Sequence, residues 1–179
     1  TNFLWPSSDN GSNWQADTAR LVQARDAANF YVDKYGNQHL IGSGSFGVTW
    51  LYKKTQGNNN FDLDTAGLKN GHVGPYYQVK SFLSDDNGNL YMAGGGNASL
   101  LTCWRRPIAG GFWVPDTSGL PGFEPITYLT RELNHNMVAT TADGIYYHHA
   151  GSWHNIPLPS TPGGGYLAVN SVAADNSGG

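Results

Sequence analysis

Four times along this chain, apolar, apolar, acidic and turn-forming residues follow one another at three-residue steps. The copies read Ala27-Phe30-Asp33-Gly36-Asn37, Val79-Phe82-Asp85-Gly88-Asn89, Ile126-Leu129-Glu132-His135-Asn136 and Val169-Val172-Asp175-Gly178-Gly179. The acids recur about every 40 to 50 residues, a period that belongs to solenoids, propellers and arrays. A chain built this way repeats one supersecondary unit, and its fold is the stacking of those units.

A second series interleaves with the first. Trp14, Phe61, Trp113 and Trp153 each lie upstream of a leucine. Three of the stretches nearly superimpose: WQADTARL from Trp14, FDLDTAGL from Phe61 and WVPDTSGL from Trp113. The fourth, WHNIPLP from Trp153, is shorter. Their fixed place in each unit predicts that Phe61, Trp113 and Trp153 are buried between units.

The local reading is β throughout. First strands are expected at 30–32, 79–83, 126–130 and 167–173, each running into an Asp-x-x-Gly-Asn turn where Gly or Asn supplies positive φ. Second strands follow at 39–41, 90–93 and 137–140, and third strands at 48–53, 99–104 and 144–149. Fourth strands begin near the repeated aromatic. No convincing long amphipathic helix appears; residues 14–27 are the hardest to assign.

Four antiparallel strands in about 40–50 residues make a propeller blade. The expected fold is therefore an all-β propeller of three complete blades and one divided blade. The parts are 1–21, 22–68, 69–121, 122–159 and 160–179. The end pieces either close a four-bladed ring or belong to a larger one. Unpaired strand edges recruit other strands, so 167–173 should pair within the chain, with another copy, or with the rest of a longer protein. An intermolecular or whole-protein partner is the preferred expectation.

Composition excludes several classes. The formal net charge is −3, so the balance gives no sign of a nucleic-acid surface. No run of 18 apolar residues is present, hence no helical membrane span is expected. Cys103 is the one cysteine, so no internal disulfide can form. Sparse cysteine, many Gly and Asn and few charges suit a secreted or periplasmic protein. The start at Thr1 reads as a processed protein or an excised piece.

Two resemblances rest on these residues. Gly119-Leu120-Pro121 with Ile126 and Leu129, and Val79-x-x-Phe82-x-x-Asp85-x-x-Gly88-Asn89-Leu90-Tyr91-Met92-Ala93, resemble the repeat of two-component-regulator propellers. That resemblance spans nearly the whole chain. It departs at Arg20-Leu21, where Gly-Leu-Pro is missing, and at His135, where Gly is expected. It implies part of a ring of about seven blades, of the kind found in periplasmic, often glycan-responsive sensors. Locally, Ser7-Ser8-Asp9-Asn10-Gly11-Ser12-Asn13-Trp14 is similar to the Asp-box of sialidase-like propellers, apart from Asn13. That motif implies a structural hairpin with Trp14 packed beneath it.

Catalytic and metal chemistry fares less well. Glycoside hydrolysis needs two carboxyls at a defined separation. The acids Asp17, Asp33, Asp64, Asp85, Asp116, Glu132 and Asp175 sit at repeat-equivalent positions, which the unit explains better than one active site does. Arg20, Arg25, Arg105, Arg106 and Arg131 form no evident carboxylate clamp. With Ala150-Gly151-Ser152 as a turn, His148 would face His154 and offer two weak ligands for Zn²⁺ or Cu²⁺. A polar hairpin with Trp153 packed inward is the plainer reading. The run from Asp85 to Asn89 lacks the distal Glu of a calcium loop. Cys103 reads as a buried small hydrophobe. The glycine runs at 94–96 and 163–165 lack the Lys-Ser/Thr of a phosphate loop. No cofactor and no catalytic residue is assigned.

Binding remains. Loops between strands two and three and between blades carry Phe46, His72, Tyr76, Tyr77, Asn97, Phe123 and Tyr166. Aromatic faces beside amides and hydroxyls suit sugar rings; about half of these residues would instead pack between blades. The expected function is non-catalytic recognition of a glycan or small ligand, lectin-like, by a sensor or adhesion protein. A protein-docking scaffold and a sialidase-like glycoside hydrolase or lyase are the alternatives.

Overall fold

A computed structural model describes residues 9–15, 21, 26–44, 48–68, 78–95, 103–107, 110–122, 125–131, 137–142 and 144–158. Among them there are twelve strands and no helix. The strands are β1 (Asp26–Val32), β2 (Gln38–Ser43), β3 (Thr49–Lys54), β4 (Asp62–Leu63), β5 (Gln78–Ser84), β6 (Leu90–Gly95), β7 (Cys103–Arg106), β8 (Val114–Pro115), β9 (Tyr128–Arg131), β10 (Met137–Thr141), β11 (Gly144–His149) and β12 (Ser152–Ile156). They form three open antiparallel sheets, β1-β2-β3-β4, β5-β6-β7-β8 and β9-β10-β11-β12, each a meander in chain order. The first strands lie beside one another, β1 against β5 and β5 against β9.

Sheet 2 is covered on both faces. One core holds Ile41, Leu51, Leu68, Phe82, Leu90, Met92 and Trp113, between sheets 1 and 2. The next holds Tyr91, Ala93, Cys103, Ile126, Leu129, Met137, Ala139, Tyr146 and Trp153, between sheets 2 and 3. Leu40, Tyr52 and Phe61 form a third, with Leu21 and Trp50 against it. This explains the second strands, which read as continuous apolar or small runs instead of alternating. β6 (LYMAGG) is buried along nearly its whole length, and β10 (MVATT) along all of it.

The acid of the first repeat is a turn clasp. Asp33 Oδ1 accepts the Tyr35 and Asn37 amides, while Oδ2 accepts Asn37 Nδ2 at 2.9 Å. Asp85 holds Asn89 in the same way, with both bonds at 2.7 Å. Gly36 (φ 77°) and Gly88 (φ 84°) turn the chain within each clasp. The Asp-box stretch uses the same device: Asp9 takes the Asn13 amide at 2.8 Å and its Nδ2 at 2.6 Å. The Trp14 ring lies against Gly11 and its Nε1 donates to Gly11 O, but the residue is 59% exposed, not packed beneath the hairpin. A ring held by its own turn needs no core.

The expected pairing of His148 with His154 is corrected. The β11–β12 turn has two residues, Ala150 (φ 51°) and Gly151 (φ 83°). Positive φ at both central positions is the type I′ geometry that matches strand twist. His149 therefore faces Ser152, His148 faces Trp153 and Tyr147 faces His154. A shift of one residue moves a side chain to the other face, so His148 and His154 lie on opposite faces of sheet 3.

Candidate ligand groove

Two members of the interleaved aromatic series, Trp113 and Trp153, form the joints between sheets. Phe61, Trp113 and Trp153 are all but fully buried. Trp113 donates Nε1–H to Asp64 O at 3.1 Å and its amide to Ala66 O at 2.8 Å. One unit later, Trp153 donates Nε1–H to Asp116 O at 3.0 Å and its amide to Ser118 O at 2.8 Å. Each Asp-Thr-x-Gly-Leu stretch thus receives the aromatic of the following sheet. Its Gly sits at the closest approach: a Cβ on Gly67 or Gly119 would lie 2.6 Å from Trp113 O or 1.9 Å from Trp153 O. The Asp side chain meets an Arg or a His from the third strand of the following sheet. Asp64 pairs with Arg106, and Asp116 Oδ2 faces His148 Nε2 at 3.3 Å. Arg106 and His148 stand across from the aromatic; Lys54 lies over Phe61 in the same way. These repeated acids are structural.

With the sheets joined so, β1, β5 and β9 frame a groove of about 430 Å³. Asn29, Tyr31, Lys80, Ser81, Tyr128, Thr130 and Arg131 are among its lining residues. Its floor is set by bonds between sheets. Tyr31 Oη and Ser84 Oγ are 2.7 Å apart, and Ser81 Oγ accepts the Leu129 amide at 3.0 Å. β1 and β5 each carry a bulge, between Ala27 and Asn29 and between Val79 and Ser81. A bulge re-aims the extra side chain; in β5 that residue is Lys80, which is exposed. Arg131 Nη1 donates to Asp86 Oδ1 at 2.7 Å, from the turn of the neighbouring sheet. Tyr128 is 40% exposed.

Among the described residues, the lining offers two phenols, hydroxyls, an amide and two cations, and no carboxylate, imidazole or thiol. Its size falls within the range of small-ligand pockets. A second cavity, of about 400 Å³, opens between the β5–β6 and β11–β12 turns, beside Asp85, Tyr91, Arg105 and His148. Burial pushes the Tyr91 phenol up, as do the nearby Asp85 and Asp116 charges, against the opposing pull of Arg105. Asp85 there is already engaged by Asn89. Burial also raises the Cys103 thiol well above its ordinary value. No group of three His, Cys, Asp or Glu among the described residues could hold a metal ion.

Phe46, His72, Tyr76, Tyr77, Asn97, Phe123 and Tyr166 all lie outside the described residues. His148 sits at the joint against Asp116 and Trp153, and His154 stacks on Tyr147 with ring centroids 5.2 Å apart. The groove residues Lys80, Tyr128 and Arg131 lie on first strands, not on the loops that the sequence singles out. A signal was present: each interrupts the repeat at a first-strand position. No protein-family model matches this chain, and no curated protein matches it.

Proposed function

We propose that the three sheets are consecutive blades of a β-propeller, and that the chain recognises a saccharide in the groove along β1, β5 and β9 without transforming it. The carrying observation is the lining itself: Tyr31 and Tyr128 beside hydroxyls, an amide and cations, with no carboxylate among the described residues. Aromatic faces stack on the C–H faces of sugars, while hydroxyl-rich edges need the surrounding donors and acceptors. Adjacent first strands and the repeated Trp-to-Asp joint support the propeller arrangement, since blades succeed one another around first strands at an axis. The ring is either four-bladed or a larger one of which this chain is part.

A glycan array followed by calorimetry tests the reading. Saturable binding of a saccharide is expected, lost at least tenfold in Tyr128→Ala and kept in Val114→Thr, on the far strand β8. Turnover of a glycoside, abolished by one Asp or Glu substitution, would sink it. A protein-docking scaffold is the second reading. It draws on Phe30, Val32 and Leu63, which remain 45–49% exposed on one face of sheet 1. That reading expects capture of a protein partner and no response to saccharides.

A further inference from the structure

The three sheets are copies, so a groove residue that departs from the repeat is not required by the repeat itself. Counting back from the repeated acid, the bulge position holds Ala28 in the first unit, Lys80 in the second and Thr127 in the third. Thr127 occupies a bulge-like place too, its amide donating to Thr140, the residue paired with Tyr128. The next position holds Asn29, Ser81 and Tyr128, and the one just before the acid holds Val32, Ser84 and Arg131. At each position one unit has a large side chain where the others have a smaller or uncharged one. All three exceptions, Lys80, Tyr128 and Arg131, line the same groove.

We infer that Lys80, Tyr128 and Arg131 select a carboxylated ring, an acidic sugar unit, as the ligand of this groove; the inference rests on the groove being the saccharide site. Tyr128 supplies the stacking face. Arg131 is held at the groove by Asp86 through Nη1, and a guanidinium has further N–H donors beyond the one that contact uses. Its planar fork matches a carboxylate. Lys80, aimed by the bulge, adds a second positive charge. Among the described residues the lining carries two cations, Lys80 and Arg131, the second of them paired with Asp86 at 2.7 Å.

Paired oligosaccharides test this on the full chain, each pair differing only in a uronic carboxylate against a neutral hydroxymethyl: glucuronate and glucose, galacturonate and galactose, mannuronate and mannose. Calorimetry should find an acidic member bound at least tenfold tighter than its neutral twin, with that preference shrinking as salt rises. Lys80→Met and Arg131→Gln should each lower affinity for the acid about fivefold or more and lower any neutral binding by clearly less, so that the acid preference shrinks. Circular dichroism verifies that both variants fold. Equal affinity within every pair, or a preference untouched by both variants, overturns the inference while the groove stays a saccharide site. No saturable binding by any member overturns the saccharide reading and this inference together.

Discussion

Gly119→Ala should destabilise the protein far more than an ordinary loss of glycine at positive φ. Gly119 has φ 86°, and an added Cβ would lie 1.9 Å from Trp153 O and 2.9 Å from Trp153 C. Left-handed backbone costs a non-glycine residue about 1–2 kcal/mol. The clash adds to that, because both atoms are backbone and cannot rotate away. Relief requires the strand carrying Trp153 to move off by roughly 1.5 Å or more, the gap between that approach and ordinary contact. Two bonds cross this contact: the Trp153 amide to Ser118 O at 2.8 Å and Nε1–H to Asp116 O at 3.0 Å. Each is worth about 0.5–1.5 kcal/mol, and a buried donor left unpaired costs about 1–3. The expected total is about 3–6 kcal/mol. Gly57→Ala is the matched control, since Gly57 has φ 81° and nothing within 4 Å of an added Cβ. It should lose only the conformational 1–2 kcal/mol. Urea unfolding of both variants measures the difference. Losses equal within about 0.5 kcal/mol would refute the close-approach account of the Asp-Thr-x-Gly-Leu stretch.

Two further outcomes follow from buried charges. Burial holds the His39 imidazole below its ordinary value against the raising effect of Asp33, and its Nδ1 has no partner, so the ring is neutral with Nε2–H toward Asp33 at 3.1 Å. Burial acts to raise Asp33, but bonds from His39, Asn37 and two amides outweigh it and leave the carboxyl below its ordinary value. Both folded values are depressed, so the unfolded chain binds more protons on acidification. Stability should be full at neutral pH, fall below about pH 6.5 as unfolded histidine protonates, and fall again below about pH 3.8 as Asp33 titrates. Urea midpoints against pH read this, and His39→Gln should flatten the upper limb; an unchanged limb refutes it. At the sheet 1–sheet 2 joint, Asp64→Ala leaves the largely buried Arg106 without its counterion and should cost about 3 kcal/mol. The double change Asp64→Leu, Arg106→Met should recover at least half of that in thermal melts; no recovery means the ion pair is not the cause.

Much of the fold was legible because repetition magnifies weak signals. One Asp-x-x-Gly-Asn is a common turn, but several copies at one period, each after an apolar pair, specify hairpins. β6 and β10 were readable for the same reason, as unbroken apolar runs between small residues. Four of the repeated acids lie among the described residues and are engaged by the architecture: Asp33 and Asp85 clasp asparagines, while Asp64 meets Arg106 and Asp116 faces His148 of the next sheet. The histidine hairpin was misread by one residue. Ala150 at positive φ is uncommon without an Asn or Gly, so the type I′ turn was hidden and the whole register slipped with it.

By itself, then, the sequence determined strand type, strand order and the burial of Phe61, Trp113 and Trp153, because alternation, turn chemistry and periodicity are local properties. Only the tertiary structure decided which groups meet across units. That Trp113 and Trp153 seat on the preceding Asp-Thr-x-Gly-Leu stretch depends on sheet-to-sheet packing between residues far apart in the chain. The groove is of the same kind. Lys80, Tyr128 and Arg131 come from two units and converge because β5 lies beside β9 and a bulge turns Lys80 toward that seam. No pattern within either strand encodes such a neighbour.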